Sequence, residues 1–408
     1  ITLSMLEGNR LAKLPTETLY LIMEQLNRND LKNISKTCRW LYRMSSKFRF
    51  GFVSPEWEAV NDFDVKNSNV IASNYRDGVW SDNIFYLVIF SKDEPICWSL
   101  DITVHPITWT SKPIKIVLDS HDSYEPVRYT AAAIIAKIMY IFGGENIETE
   151  KLSNVLYELD IKTYNMRKVE SSSTPAPRKM HTLNAIDGNR LIMFGGRCLR
   201  GEEIYDTQHF AIYDVKKNVW SYHTEPNNMP YRRASHSTAV FDEKLYIFGG
   251  QQINSTTTKE TEIHDDKDIH FYDVCHNNWL KIITPYPDGS RLSPTLSLPP
   301  DWIATNGSKV GRRVHAAMFS MHHRIVILSG MERDEFNYEK EGRPWELLKT
   351  LSLEERNWDH IRVKGLPQMG CVAVVSEYKN ETIGIFVIGK VHDDNKLIMG
   401  WIKDSIDI

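Results

Sequence analysis

Tyr140-Ile141-Phe142-Gly143-Gly144, Leu191-Ile192-Met193-Phe194-Gly195-Gly196 and Leu245-Tyr246-Ile247-Phe248-Gly249-Gly250 are three copies of one phrase. Each is an apolar run of strand-forming residues stopped by two glycines. The first glycines stand 52 and then 54 residues apart, and a fixed period in that range marks a repeat architecture. Paired glycines end a strand by allowing positive φ and the close approach of a neighbouring backbone or ring. Other features keep step with the doublet. Tyr213-Asp214 and Tyr272-Asp273 each precede a tryptophan, Trp220 and Trp279, by the same interval. Arg178 and Arg233 each lead a histidine, His181 and His236, by three residues.

Weaker copies extend the series. Phe85 to Ser91 comes before the three clear units. Arg324 to Gly330, preceded by Arg312 and His315 and followed by Trp358, comes after them, with Ser352 in the acid's place. Ile383 to Gly389 makes a sixth run. In the second unit Met166 replaces the tryptophan behind Asp160, a soft filler suited to the same space. Alternating apolar strands, turn residues and a unit of this size imply a mostly β chain folded as a β-propeller. Six is the blade count the spacing favours, with five and seven its neighbours.

A ring must close, because an open blade leaves a strand edge unpaired. The last unit, ending near Leu397 to Ile402, is one strand short. The segment 52–65, with Trp57, is expected to complete it. Two stretches break the rhythm: the proline-rich 284–311, expected to be a long irregular loop, and the charged insertion 332–345. Loops carried by a rigid scaffold are where binding usually resides.

Composition sets the class. With 42% hydrophobic and 25% charged residues in 408, the chain is of ordinary globular make-up. No apolar stretch is long enough to span a bilayer, so no membrane partner is expected. Cys38, Cys97, Cys198, Cys275 and Cys371 are scattered, without a Cys-x-x-Cys. Free thiols in an intracellular compartment, cytoplasmic or nuclear, are expected. The net charge of −4 is uneven: the first 50 residues hold nine Lys and Arg against four Asp and Glu. A basic N-terminal module that meets an acidic protein is implied, and nucleic acid is not expected. No catalytic constellation is found. His181, His236 and His315 share one repeat position, which speaks for structure. The stretch His264 to His270 has no recognised metal-ligand spacing. The chain is therefore expected to be no enzyme and to carry no metal or cofactor.

Residues 1–50 read as a separate helical module. Leu19, Ile22, Met23 and Leu26 lie at the spacing of one helix face, Asp30 is a fit N-cap, and Leu31, Ile34, Cys38 and Leu41 continue the period. Together with Leu14-Pro15 at the start, this pattern resembles an F-box. The resemblance implies that Leu14, Pro15, Leu19, Ile22, Leu26, Leu31, Ile34, Cys38 and Leu41 face a Skp-type adaptor, and through it cullin and RING subunits.

Residues 51–408 resemble Kelch repeats in their Phe-Gly-Gly, Tyr-Asp…Trp and Arg-x-x-His elements. In propellers of that family that bind proteins, one face carries the loops between strands two and three and between consecutive blades. The matching positions are Arg128, Arg178, Tyr231, Arg232, Arg233, Arg312 and Arg313, with Arg197, Arg200 and Arg333 on loops of the same face. Guanidinium groups recognise carboxylates bidentately, so an acidic or C-terminal carboxylate element in a target is the expectation. Tying of blades through backbone carbonyls is the competing role for the same arginines. An F-box joined to such a propeller resembles the substrate receptor of an SCF-type ubiquitin ligase. The alternative is a Kelch scaffold or specifier module with no part in ubiquitin transfer.

Overall fold

The computed structural model describes residues 56–59, 77–104, 107–117, 123–200, 203–206, 210–222, 229–253, 261–263, 268–283, 302–307, 311, 313–321, 323–332, 347–363, 366–367, 369–378, 381–390 and 397–403. The adaptor-facing positions from Leu14 to Leu41 fall outside these, as does the insertion after Glu332.

Six four-stranded antiparallel meanders follow one another, each with its first strand innermost. Blade one is Val79–Ser81, Ile84–Ile89, Ile96–Asp101 and Trp109–Pro113. Blade two is Ala131–Ile135, Ile138–Phe142, Leu156–Asp160 and Asn165–Val169. Blade three is Thr182–Ile186, Arg190–Phe194, Phe210–Asp214 and Val219–Tyr222. Blade four is Ser237–Phe241, Lys244–Phe248, Ile269–Asp273 and Asn278–Ile283. Blade five is Ala317–Met321, Arg324–Leu328, Leu347–Ser352 and Asn357–Arg362. Blade six is Met369–Tyr378, Glu381–Lys390 and Leu397–Lys403, with Glu56–Ala59 as its outer strand. Trp57 sits opposite Gly400 in that antiparallel pair. The innermost strands touch their neighbours in chain order, from blade one to blade six.

Local chemistry explains each blade. In the two-residue joins of strands one and two that are fully described, both residues take positive φ: Asp82-Asn83, Ala136-Lys137 and Asp242-Glu243. That is the geometry whose twist suits a hairpin. At the other tight turn the repeated acid acts on the backbone. Oδ1 of Asp160 accepts the N–H of Lys162 at 2.8 Å, Oδ1 of Asp214 that of Lys217 at 3.0 Å, and Oδ1 of Asp273 those of Cys275 and His276. Ser352 does the same through Oγ, accepting from Glu355 at 3.2 Å. The acid of the repeat is thus a turn-former, as short polar side chains are in such positions.

The tryptophans join blades. Trp220 of blade three lies 5.1 Å, centroid to centroid, from Phe142 of blade two, and Trp279 of blade four lies 5.8 Å from Phe194 of blade three. Trp358 shares a buried cluster with Phe248, and Met166 shares one with Phe90. Blades two to five each therefore set a fourth-strand residue beside the phenylalanine ahead of the preceding unit's glycine or serine. Between blades six and one, Phe386, Ile388 and Met399 pack with Phe85, Leu87 and Leu100.

The expected irregular loop 284–311 is regular at its end. Trp302–Ala304 pairs in parallel with Lys281 to Ile283 of blade four, and Asn306–Gly307 with Asn357 and Trp358 of blade five. The strand-forming Trp302-Ile303-Ala304 overrides the proline-rich context because an outer edge lies within its reach.

Candidate functional site

Strand direction fixes which loops share a face. The tight turns between strands one and two and between strands three and four lie at one end of the blades. The loops between strands two and three and the connections between blades lie at the other. The glycine doublets open onto this second face.

There the repeated arginines turn inward. Arg178 donates through Nη1 to the carbonyl of Gly195 at 2.9 Å and through Nε to that of Ala176 at 3.0 Å. Arg233 repeats this with Gly249 at 2.9 Å and Tyr231 at 3.0 Å, and Arg313 donates to Ser329 at 2.9 Å. Their own carbonyls accept the N–H of the preceding blade's second glycine: Gly144 to Arg178, Gly196 to Arg233, Gly250 to Arg313. Arg178 and Arg233 have 0% of their surface exposed and Arg313 1%. A buried guanidinium spent on backbone carbonyls is unavailable to a partner. The expectation that these three bind a target is corrected: they tie each blade to the one before.

The pairing register also corrects the repeat alignment. Lys179 opposes Arg197, Ala234 opposes Gln251, Val314 opposes Met331, and Arg128 opposes Glu145. Arg313, not Arg312, is therefore the equivalent of Arg178, and blade two has Val127 there, one residue before Arg128. Ala316, not His315, stands where His181 and His236 stand, against the second glycine of its own blade. His315 instead takes the left-handed place shared by Tyr129, Met180 and Ser235, all with φ between 55° and 59°. These residues link around the axis: Ser235 donates its N–H to Met180, and His315 donates to Ser235. In blade two the N–H of Tyr129 goes to the Asp77 carboxylate at 2.9 Å.

The two histidines are packing groups. His181 stands edge-on to Phe142 at 5.5 Å and His236 to Phe194 at 5.4 Å. Burial, with the neighbouring guanidinium behind it, pushes both below the ordinary histidine value, His236 to about 3. They stay neutral.

What this face offers a partner is one residue out of step with the arginine ties. Arg128 donates from Nε and Nη2 to Oε1 of Glu145, at 3.1 and 2.7 Å, and Lys179 of the next blade holds Oε2 of the same carboxylate. Burial alone would raise the Glu145 carboxyl, but hydrogen bonds from Lys179 and Arg128 outweigh it and hold it below its usual range. The Arg128 guanidinium lies 5.4 Å, and the Lys179 ammonium 5.7 Å, from the centre of the Tyr129 ring. Tyr129 is 38% exposed, Leu199 46% and Tyr231 66%. Arg197 and Arg232 are half-buried on the same face. Hairpins rise beside them: Arg197–Arg200 with Glu203–Asp206, and Gln251–Ile253 with Thr261–Ile263, the second strand of the first touching the first strand of the second. Arg312, Arg333 and the side chain of Arg200 lie outside the described residues. Reading the sequence missed Glu145, Lys179 and Tyr129. The available signal was position, since Glu145 follows a glycine doublet directly and Lys179 follows a tying arginine. Among the described residues no cluster of three His, Cys, Asp or Glu side chains could hold a metal.

Residues 99–298 match the KLHDC2/KLHL20/DRC7 Kelch-repeats domain family. Over this segment the chain is similar to Kelch repeats. Kelch domain-containing protein 3 of Rattus norvegicus is 33% identical over 127 residues, 29% of this chain and 33% of that protein. The N-(sulfonatooxy)prop-2-enimidothioate sulfolyase of Thlaspi arvense is 26% identical over 162 residues, 38% of this chain and 44% of that enzyme. The chain thus spans about a third of the length of the Kelch relatives it matches first. The solved structure titled "Structure of YjhT" superposes with a TM-score of 0.52 at 14% identity, over 79% of this chain and 91% of that one. That likeness extends the shared fold well beyond the matched Kelch segment, to blades whose glycine doublet is eroded.

Proposed function

We propose that the chain is the substrate-recognition subunit of an SCF-type ubiquitin ligase: residues 14–41 dock a Skp-type adaptor carrying cullin and RING subunits, and the propeller's loop face holds a protein target. The observation that carries the reading is the union in one chain of an F-box-like pattern and a Kelch propeller with exposed Tyr129 and Tyr231 beside cations on its loop face. Aromatic and arginine side chains are the usual anchors of protein interfaces. Such a receptor makes and breaks no bonds. It works inside the cell, in cytoplasm or nucleus, by raising the target's effective concentration near a ubiquitin-loaded enzyme. Co-expression with the adaptor tests it: the full chain should gain soluble yield several-fold, since a bare adaptor-facing apolar surface promotes aggregation. An unchanged yield counts against the reading.

A second reading is kept because one relative, of Homo sapiens and 29% identical over 127 residues, is named Rab9 effector protein with kelch motifs. In it the propeller serves as a scaffold or specifier module, and the N-terminal helices serve another contact. Target capture separates the two. With the adaptor-facing residues disabled, a receptor still binds its target but no longer promotes its loss.

A further inference from the structure

Strand direction also fixes the end from which the chain reaches the ring. Tyr378 opposes Glu381 across the tight turn of blade six, and Gly384 opposes Lys403, so Lys403 lies at the tight-turn end. Glu56 opposes Trp401 and Ala59 opposes Ile398 in the antiparallel outer pair. The residues before Glu56 therefore arrive from the tight-turn end, away from the loop face. Phe50 precedes Glu56 by six positions, a reach of about 20 Å for an extended chain. At the same end, the turn that follows Ile96–Asp101 leaves Val104 57% exposed. Ile107 and Trp109, next along this turn, pack with Trp401 in one cluster between blades six and one. Trp401 faces Glu56, so the turn and the entry strand flank one junction.

We propose that this turn of blade one is the seat of the chain's own segment 47–52. Lys47-Phe48-Arg49-Phe50-Gly51-Phe52 alternates cations and aromatic rings directly ahead of the entry strand. In an extended stretch that period sends the three rings to one side and the two cations to the other. The rings cover Val104, and removal of this apolar surface from water drives the docking. Charge assists only modestly. Asp101 meets no cation among the described residues, its Oδ1 taking the N–H and the Oγ1 of Thr103 at 2.8 and 2.6 Å. Asp82 is held by Lys137 of blade two, and on blade six Lys379 and Lys403 balance Glu377 and Glu381. The seat anchors residues 1–50 at the end opposite Tyr129 and Tyr231, so that the N-terminal module and the loop face serve different partners. The inference rests on the strand that closes blade six and not on the ligase reading.

The test uses the full chain with p-benzoylphenylalanine in place of Val104, irradiated and then digested for mass spectrometry. Photoproducts should join position 104 to peptides that contain residues 47–52. The same group in place of Val117, a 47% exposed valine on the outer strand of blade two, should give none. Trypsin supplies a second readout, because cleavage after Lys47 and Arg49 tracks how often the segment lifts off. Val104→Ser should speed that cleavage roughly two- to fivefold through the lost apolar contact, and Val117→Ser should leave it unchanged. The proposal is overturned if position 104 gives no product with 47–52, if both positions give equal products, or if both serine variants are cleaved alike. A photoproduct yield that falls on dilution also overturns it, since the turn then meets a second copy. Adaptor co-purification is a separate outcome, and its failure with these results intact sinks the ligase reading alone.

Discussion

The guanidinium of Arg178 reaches the carbonyl of Gly195 at 2.9 Å, while the carbonyl of Arg178 accepts the N–H of Gly144 at 2.8 Å. One residue thus joins the glycine doublets of two consecutive blades. Arg178→Met should lower stability by about 2–4 kcal/mol, through two lost charge-assisted bonds and a carbonyl left buried without its donor. Lys in its place should recover little, because one ammonium cannot span the carbonyls of Gly195 and Ala176. Denaturant melts of both variants check this.

Two glycines with the same φ of +69° predict different costs. At Gly188 an added Cβ meets nothing within 4 Å, so Gly188→Ala should cost only the left-handed penalty, about 1 kcal/mol. At Gly195 it would lie 2.6 Å from the Arg233 carbonyl and 2.9 Å from Cε1 of His236. Gly195→Ala should cost well over twice as much, or fail to fold, because the blade junction has to open. Comparative thermal melts decide.

Acid should weaken the ring in a defined window. His236 is held by burial, and then by Arg233, at about 3 against an ordinary 6.5, and His181 is shifted the same way. Unfolding frees both to take up protons. Stability is therefore full above about pH 6.5 and falls as pH drops toward 3, by about 1.4 kcal/mol per pH unit for His236, with His181 acting in the same direction. His236→Gln should flatten the slope of stability against pH between 6 and 4, even if it lowers the absolute value. A slope unchanged in the variant would contradict the assignment.

Met166 occupies beside Phe90 the place that Trp220 occupies beside Phe142. Trp220→Ala should cost about 3–5 kcal/mol as a buried cavity between blades. Trp220→Met, which the second unit shows to be compatible with the site, should cost less than half of that. Calorimetry on the two variants gives the ratio.

How much of this could be read in the sequence depends on whether each feature is local. Phe142-Gly143-Gly144 and its copies combine strand propensity with a backbone requirement, so they stand out and carry the fold. Arg312-Arg313 and Val127-Arg128 are different. Neighbouring candidates differ only in which one faces Ser329 or Glu145, and that choice belongs to the strand register. The same single step separates His315 from Ala316. The carboxylate shared by Arg128 and Lys179 joins residues from two blades, and no spacing within a repeat announces it.

The central claim is adaptor docking through residues 14–41, and co-purification tests it most directly. The Skp-type adaptor, expressed with the native full chain and with a Leu14→Asp, Pro15→Asp double variant, is captured through a tag on the chain. The account predicts a stoichiometric adaptor with the native chain and its loss from the variant, with the propeller's melting temperature unchanged. Equal recovery with both chains, or none with the native chain, would contradict it.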